Sequence, residues 1–338
     1  MDSKRVMHKN EHFGGTNETS VGKFRCLSKS WRTLLSTTQF IKSHLSRKPQ
    51  QKIHSYAQAF TCSFNPQMMV DRFTEMWGSC NGLVLLETGS LGMSVFNPTT
   101  LQQLYVPDSP LARNKNEFGT VYGFGYDSSS DEYKIVKLSC YKGPDDGYYL
   151  VTYVDVYSLE RGVWNRVISS PNGHVHYNFL PGAFVNNAIH WLNVSKESGA
   201  STIAAFDLAN EVFYDVCGPT DVKKELLYLC DLVVLDGRLC IGEMLIENIV
   251  FWMMKEYDSV ESWTTFSIRY ENVNCFCEIK PLCLFGNEDE KLLVSSEAED
   301  LAVCNLKERT CERMDTDGLE FVSGESLVES LVSPFLIA

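Results

Sequence analysis

The fold of this chain is indicated by residues 122–168, which read YGFGYDSSSDEYKIVKLSCYKGPDDGYYLVTYVDVYSLERGVWNRVI. The spacing of apolar and polar residues predicts strands at Tyr122–Tyr126, Tyr133–Leu138, Val151–Leu159 and Val163–Ile168. Clusters of Gly, Asp, Ser and Pro separate these strands, as turn residues do. Four short strands joined in this way predict one antiparallel meander of the size of a propeller blade. One meander cannot bury both of its faces, so this unit needs neighbours of the same kind.

Similar units recur along the chain. After weak strand candidates at residues 53–73, further meanders are predicted at residues 79–107, 183–216, 232–268 and 282–314, spaced about 45–55 residues apart. Each has a hairpin, then a turn with small polar or Asn/Asp residues, and most end in a strand with an aromatic residue (Tyr105, Trp164, Phe213, Trp263). We therefore expect an all-β, propeller-like domain of about five to six four-stranded blades. A pair of β-sandwiches without a repeat is the alternative.

The two ends of the β region are expected to meet. Residues 53–73 and 320–333 are each too short for a blade, so we predict that they complete one blade jointly and close the ring. Closure would remove exposed sheet edges, which are prone to aggregation.

Charge is distributed unevenly along the chain. The net charge is −13 over 338 residues, yet residues 21–50 contain seven Lys/Arg and no acidic residue, which leaves −20 for the rest. An acidic body argues against a nucleic-acid partner, because phosphate contacts need clustered Lys and Arg. The sequence has neither a signal-peptide core nor an apolar run of the ~18–20 residues that a membrane helix needs. We therefore expect no membrane partner and a cytoplasmic and/or nuclear location.

In such a compartment the twelve cysteines are expected to be mostly free thiols. Eight of them lie among apolar residues, where cysteine acts as a small hydrophobic side chain (Cys26, Cys62, Cys80, Cys140, Cys230, Cys240, Cys283 and Cys304). The sequence thus predicts a fold that does not depend on a disulfide framework.

The N-terminal segment differs in character from the β region. Residues 1–20 predict a disordered tail, and residues 21–48 predict two short α-helices. In the first helix the apolar residues recur at three- and four-residue spacing and share one face, which includes Phe24, Leu27, Trp31 and Leu35. Three interpretations of this basic helix stay open: it packs on the β domain, it docks on a partner protein, or it lies on a membrane surface.

Two pairs of residues could bind a metal. His174 and His176 lie on one side of an extended segment, and Cys275 and Cys277 form a second pair. Neither pair has the additional ligands at local spacing that a zinc site requires. We therefore predict no metal and no cofactor.

Other motifs also favour a structural interpretation. Gly123-Phe-Gly125 lacks the third glycine and the helix of a dinucleotide-binding loop. Residues 78–82 (GSCNG) precede a hairpin, whereas a nucleophile elbow precedes a helix. His190 lies in an apolar strand and is expected to be a core residue. We predict no catalytic residue and no enzyme activity, although a propeller-fold hydrolase or metal-dependent oxidase stays open as a third hypothesis.

Several short segments resemble a known family. Residues 24–34 (FRCLSKSWRTL) resemble the C-terminal end of the F-box motif in plant F-box proteins. Downstream, the chain resembles the kelch-like F-box-associated region of the same family. The segments that carry this resemblance are GSCNGL (78–83), FNPT (96–99), YGFGYD (122–127), DEYK (131–134), VYSL (156–159), AIHWL (188–192), AFDL (205–208), DGRLC (236–240) and WMMKEY (252–257).

The resemblance implies an adaptor function. In this family the F-box holds a Skp1-type subunit of an SCF (Skp1–cullin–F-box) E3 ubiquitin ligase, and the β domain holds the target protein. The domains implied are a tail at residues 1–20, partial F-box helices at residues 21–48 and an F-box-associated propeller at residues 53–334. The residues implied to face the Skp1-type subunit or to pack on the domain are Phe24, Leu27, Trp31 and Leu35.

The match to the F-box covers only its C-terminal half, because residues 1–20 lack the leucine- and proline-containing start of the motif. A stand-alone propeller that binds a partner protein without recruiting a ligase is therefore the alternative. In either case we expect the target surface on the loops at residues 108–121, 141–149, 169–180 and 218–227, since binding residues concentrate on loops of a rigid scaffold.

Overall fold

The structure is a computed structural model. It describes residues 51–55, 74–89, 92–110, 117–142, 150–167, 180–194, 201–219, 231–244, 248–269, 279–285, 291–296, 301–313, 324–328, 330 and 332–335. The predicted tail (residues 1–20) and the two predicted helices (residues 21–48) lie outside these ranges.

The described residues form five four-stranded sheets and one two-stranded sheet. Each four-stranded sheet consists of consecutive antiparallel strands and is one blade. Blade 1 contains β2 (Thr74–Cys80), β3 (Leu83–Thr88), β4 (Gly92–Asn97) and β5 (Gln102–Tyr105). Blade 2 contains β6 (Glu117–Asp127), β7 (Glu132–Lys142), β8 (Leu150–Ser158) and β9 (Val163–Val167). Blade 3 contains β10 (Ala183–Val185), β11 (Ala188–Val194), β12 (Ser201–Asp207) and β13 (Val212–Val216).

Blade 4 contains β14 (Asp231–Leu235), β15 (Arg238–Met244), β16 (Asn248–Met254) and β17 (Trp263–Arg269), with a 3₁₀ turn at Val260–Ser262 before its last strand. Blade 5 contains β18 (Ile279–Phe285), β19 (Lys291–Ser296), β20 (Leu301–Asn305) and β21 (Thr310–Arg313). The two-stranded sheet pairs β1 (Gln51–Ser55) with β22 (Gly324–Val328).

The blades are arranged as a β-propeller. The first strands β2, β6, β10, β14 and β18 contact one another in chain order, so they line the centre of the ring. The all-β propeller prediction is confirmed, with five four-stranded blades. The β-sandwich alternative is wrong, because each sheet is a local meander that packs on the next one along the chain.

Glycines permit the close approach of blades 2 and 3. Gly123 and Gly182 form a parallel bridge between the two blades, and a Cβ on either residue would lie 2.4 Å from Cγ2 of Ile189. Gly123-Phe-Gly125 was predicted not to be a dinucleotide-binding loop. In the structure it lies in the first strand of blade 2, where its glycines allow the two blades to pack closely.

The first hairpin of blades 1, 3 and 4 uses a two-residue turn. Both turn residues have positive φ, between 48° and 79°, as in type I′ turns (Asn81-Gly82, Asn186-Asn187 and Asp236-Gly237). Asn, Asp and Gly tolerate this conformation best, so the local sequence selects the turn.

The turn after the third strand has a residue with positive φ at the same position in all five blades, although the whole connection is longer in blade 4, where it includes the 3₁₀ turn at Val260–Ser262. The fourth residue after the third strand has a φ of 55° to 65° in each case (Leu101, Gly162, Glu211, Asp258 and Arg309). In four blades the last residue of the third strand is Asn, Asp or Ser, and its side chain accepts hydrogen bonds from the turn backbone (Asn97, Ser158, Asp207 and Asn305). The divergent repeat in the sequence thus has a shared local geometry.

The core of the propeller consists of apolar contacts between neighbouring blades. One buried cluster joins blades 1, 2 and 3, a second joins blades 3 and 4, and a third joins blades 4 and 5. The largest fully buried side chains are Phe96, Phe124, Phe206 and Phe251. Each blade therefore buries faces that it could not bury alone, as the repeat pattern predicts.

The ends of the β region meet as a separate element. β1 pairs antiparallel with β22, and β22 contacts β18 of blade 5. The following residues reach blade 1, where Asn97 Nδ2 donates hydrogen bonds to the carbonyl oxygens of Ser330 (3.1 Å) and Val332 (2.5 Å). The C-terminal segment therefore connects blade 5 to blade 1. The described residues show a two-stranded sheet here and not a blade, and residues 56–73 of the predicted joint blade lie outside the described ranges.

One cysteine prediction is wrong. Cys304 forms a disulfide with Cys311, with 3.9 Å between their Cα atoms. The two residues lie directly opposite each other in β20 and β21, so the hairpin itself brings the thiols together. Cys80, Cys140, Cys240 and Cys283 are buried free thiols, as expected.

Candidate functional site

A row of charged and aromatic side chains crosses blade 2. Tyr122, Lys137, Asp155 and Arg166 are directly opposite one another on four neighbouring strands, so all four lie on the same face of the sheet. This face is turned toward blade 1, because the Tyr122 ring packs edge-on against Trp77 with 5.1 Å between centroids. Strand alternation thus places a buried charge cluster between two blades.

Asp155 is the anion of this row, and its carboxylate is fully engaged. Arg166 Nε donates to Oδ1 at 2.8 Å, and Arg166 Nη2 donates to Oδ2 at 3.2 Å. Ser109 Oγ donates to Oδ2 at 2.9 Å. The hydrogen bond to Asp155 raises the pKa of Arg166 further above its usual range. Such a bidentate pair holds both groups charged and fixed in orientation.

Lys137 is the second cation of the row. The residue is only 9% exposed, and its Nζ lies over the Tyr122 ring, 5.8 Å from the centroid. Among the described residues this cation–π contact is the one interaction that its ammonium makes. The row therefore holds two cations and one carboxylate, and the positive charge in excess is that of Lys137.

A cavity of about 300 Å³ opens beside this row. Lys137, Tyr122 and Trp164 of blade 2 line it, with Met93 of blade 1 and the connection at residues 107–109. The connection is fixed in place because Val106 N donates to Met93 O at 2.9 Å and Trp164 Nε1 donates to Pro107 O at 2.7 Å. Asp108 is exposed at the cavity, whereas Ser109 is buried. The result is a small, preformed pocket between blades 1 and 2.

A second buried ion cluster joins blades 2 and 3. Lys134 Nζ contacts the Asp127 carboxylate at 3.2 Å and the Glu211 carboxylate at 3.1 Å, and donates to Leu208 O at 2.7 Å. Burial opposes the charge on Lys134, but the hydrogen bonds from its amine to both carboxylates raise its pKa. This cluster is saturated, so we interpret it as a structural connection.

His190 lies in the core, as the sequence analysis predicted. It is fully buried, its Nδ1 lies 3.1 Å from Ala183 O, and its Nε2 lies 2.7 Å from the Tyr257 hydroxyl. Because a carbonyl oxygen can only accept, Nδ1 carries the proton and Nε2 accepts from Tyr257 in the neutral ring. Burial lowers the pKa of His190 to about 4, although backbone hydrogen bonds oppose this shift. The ring therefore bridges blades 3 and 4 in its neutral form.

Two residues that could act as nucleophiles are already engaged or protonated in the structure. Ser109 Oγ donates its proton to the Asp155 carboxylate at 2.9 Å. Cys80 is buried, and burial raises its pKa, so the GSCNG turn does not present an activated thiolate. The described ranges contain no cluster of His, Cys, Asp and Glu that could hold a metal ion, and no helix there could span a membrane.

Most residues that the sequence analysis selected lie outside the described ranges. These are Phe24, Leu27, Trp31 and Leu35, both metal-candidate pairs (His174 with His176, and Cys275 with Cys277), and most of the four predicted target loops. The described beginning of the first loop, residues 108–110, adjoins the cavity.

Sequence reasoning missed the residues of the charged row. The sequence did contain a signal for Lys137. The alternation of side chains along the strand places Lys137 on the same face as Tyr133 and Ile135, and a charged residue is unexpected on such an apolar face. Asp155 and Arg166 could not be paired with it until the strand register was known, since they lie 18 and 29 residues further along the chain.

A ring of five four-stranded meanders with a charged cavity between two of them defines a β-propeller with an inter-blade pocket. Residues 41–332 match the sequence profile of the F-box associated beta propeller domain, and the chain belongs to this family.

Curated relatives agree with this assignment. The chain is similar to F-box protein CPR1 of Arabidopsis thaliana, with 30% identity over 91% of this chain and 83% of that protein. It is also similar to F-box protein At4g22390 of the same plant, with 27% identity over 96% of this chain and 88% of that protein. Among solved structures, dipeptidyl peptidase 4 of Porphyromonas gingivalis matches with a TM-score of 0.36 and 7% identity, over 70% of this chain and 44% of that one.

Proposed function

We propose that this protein is the substrate-recognition adaptor of an SCF-type E3 ubiquitin ligase. The observation that carries the proposal is family membership: the propeller matches the F-box associated domain over residues 41–332, and the similar Arabidopsis proteins are F-box proteins. In this proposal the N-terminal segment binds a Skp1-type subunit, and the propeller binds the protein to be ubiquitinated in the cytoplasm and/or nucleus.

The extent of the alignments supports a role for the N-terminal segment. The alignment to At4g22390 covers 96% of this chain, so at most about 14 of its residues remain outside. Residues 21–48 are therefore included in the aligned region. These residues carry the predicted amphipathic helix, whose apolar face would dock on a groove of the Skp1-type subunit.

The propeller supports a binding role without chemistry of its own. Two of its buried ionisable groups are already engaged: Lys134 lies in a saturated ion cluster, and His190 is buried and neutral. The cavity beside Lys137 is instead open to a ligand. We accordingly propose a non-enzymatic adaptor that needs no cofactor.

Retention of a Skp1-type protein tests the ligase role. The full chain is immobilised and incubated with an excess of purified plant Skp1-type protein, and the bound fraction is measured. We expect retention that Trp31→Ala abolishes, because Trp31 lies on the predicted apolar face, and that Lys29→Ala leaves intact, because Lys29 lies off this face.

If the wild-type chain retains no Skp1-type protein even at excess, the ligase role is wrong. The protein would then be a stand-alone propeller that binds its partner without recruiting ubiquitin machinery. Equal loss in Trp31→Ala and Lys29→Ala would contradict the predicted docking face.

A further inference from the structure

We infer that the cavity between blades 1 and 2 is a peptide-binding pocket that takes an acidic side chain of the partner protein, with its carboxylate on Lys137. The pocket would define which chemical group of the partner protein is recognised. The inference rests on one part of the proposed function, namely that the propeller binds the partner protein. It does not depend on recruitment of a ligase.

The charge balance of the pocket favours an anionic ligand. Lys137 is nine-tenths buried, yet among the described residues its ammonium has only the Tyr122 ring as a partner. Asp155 is its nearest anion along the row, but three donors from Arg166 and Ser109 already occupy that carboxylate. Lys137 lines the cavity without a carboxylate partner among the described residues, so an incoming carboxylate can form the charge-assisted hydrogen bond that is missing there.

The size and shape of the pocket favour a single side chain as the ligand. At about 300 Å³ it lies at the small end of ligand sites, so it fits one side chain of a peptide and not a large cofactor. Tyr122, Trp164 and Met93 provide apolar walls for the methylene groups of that side chain. The walls are rigid, because the Trp164 indole is held by Pro107 O and Ser109 is held by Asp155. A preformed site loses little ordering entropy on binding.

Asp108 selects among anions. Its exposed carboxylate lines the same cavity as Lys137, so a ligand meets a cation in the buried part and an anion on the exposed side. The repulsion from Asp108 offsets the extra attraction to Lys137 that a phosphate, with a charge close to −2, would have over a carboxylate. A neighbouring cation on the ligand would instead pair with Asp108. The pocket therefore suits an Asp or Glu side chain next to a Lys or Arg.

The test uses the full chain and a defined probe, N-acetyl-Glu-Lys-amide. The indole N–H signals of the tryptophans are followed by ¹H–¹⁵N NMR during titration, and the Trp164 signal is assigned from Trp164→Phe. We expect a saturable shift of the Trp164 signal. Trp263 is the internal control, because its Nε1 makes the equivalent bond to Cys217 O at 3.0 Å in blade 4, far along the chain from the pocket.

Matched ligands and variants identify the contact. Replacing Glu by Gln in the probe should weaken binding by at least about tenfold, because a charge-assisted hydrogen bond is lost. Lys137→Met should have the same effect, Lys137→Arg should restore part of the affinity, and Lys255→Met, at an exposed lysine, should change nothing. The other indole signals report that each variant is folded.

Several results would overturn the inference. These are the absence of a saturable Trp164 shift, an equal shift of Trp263, or undiminished affinity in Lys137→Met. Tighter binding of N-acetyl-phosphoserine-Lys-amide than of the Glu probe would refute the carboxylate assignment in favour of phosphate. Retention of the Skp1-type protein is measured on the same Lys137→Met sample and should be unchanged, so failure of the pocket and failure of the ligase role are distinguished.

Discussion

Replacing Asn97 by Asp tests how the ring is closed. Asn97 is fully buried at the end of the third strand of blade 1. Its Oδ1 accepts from the backbone N–H groups of Thr99 and Thr100, while its Nδ2 donates to the carbonyl oxygens of Ser330 and Val332. Asn97→Asp keeps the size of the side chain and the two accepted bonds. It replaces the two donors by a carboxylate oxygen that faces two carbonyl oxygens.

The magnitude follows from these contacts. Two hydrogen bonds are lost, at about 1 kcal/mol each, and a buried charge is left against acceptors, which costs further. We expect the free energy of unfolding to fall by about 3 kcal/mol at neutral pH. Burial against two acceptors raises the pKa of the new carboxyl group above its ordinary value, so as the pH falls it takes up a proton and restores one donated bond, and the difference from the wild type should narrow.

The assay is urea denaturation combined with hydrogen exchange of the C-terminal peptide. Exchange is needed because the segment at residues 330–335 can detach without global unfolding. Asn305→Asp is the matched control, since Asn305 ends the equivalent strand of blade 5 and accepts from Lys307 and Glu308 in the same turn. An Asp side chain can accept the same two backbone hydrogen bonds as Asn305 does. The free energy of unfolding of this control variant should therefore fall by less than about 0.5 kcal/mol. Equal behaviour of the two variants in both measurements would refute the closure described here.

Three further changes have defined outcomes. Gly125→Ala places a Cβ 2.4 Å from the Phe184 ring and should lower the free energy of unfolding by about 1–3 kcal/mol. Gly218→Ala is the control, because its Cβ would meet no atom within 4 Å. Similar urea midpoints for the two variants would contradict the packing of blade 2 on blade 3. His190 has a folded-state pKa of about 4 against 6.5 unfolded, so the unfolded state binds more protons between these values. Stability should therefore decrease by on the order of 3 kcal/mol as pH falls from 6.5 to 4, and His190→Asn should flatten this dependence in denaturation curves taken across that range. Cys311→Ser removes the blade 5 disulfide and should cost about 2 kcal/mol, and a reductant should destabilise the wild type alone. An unchanged wild-type midpoint in reductant would count against the disulfide.

Local patterns in the sequence were sufficient to predict the fold. Alternation defined the four strands of blade 2, and Asn, Asp and Gly pairs marked the hairpins, because φ > 0 is a property of single residues. The number of blades was left as five or six, since residues 53–73 have a weak strand pattern. The pairing of Gln51–Ser55 with Gly324–Val328 is a long-range contact that no local pattern encodes.

The candidate site depends on register, which is why the sequence did not reveal it. Lys137, Asp155 and Arg166 form a row only because of the register in which β7, β8 and β9 pair. The disulfide of Cys304 and Cys311 was missed for a related reason, since Cys304 was interpreted from its apolar neighbours and not from its partner across the hairpin. Glycine packing between blades was equally invisible, because the side chains that require it belong to the next repeat.

The pairing of Gln51–Ser55 with Gly324–Val328 sets the order of events during synthesis on the ribosome. The early strand leaves the exit tunnel long before its partner has been translated, and its backbone donors and acceptors must stay unpaired, or be shielded by chaperones, throughout that interval. Individual blades can form cotranslationally from local hairpins, but the circle can be completed only after the final strand has been released. A nascent chain that stalls before the final strand is released would expose an unpaired strand edge. Such an edge can pair with other chains and would be recognised by chaperones and proteases.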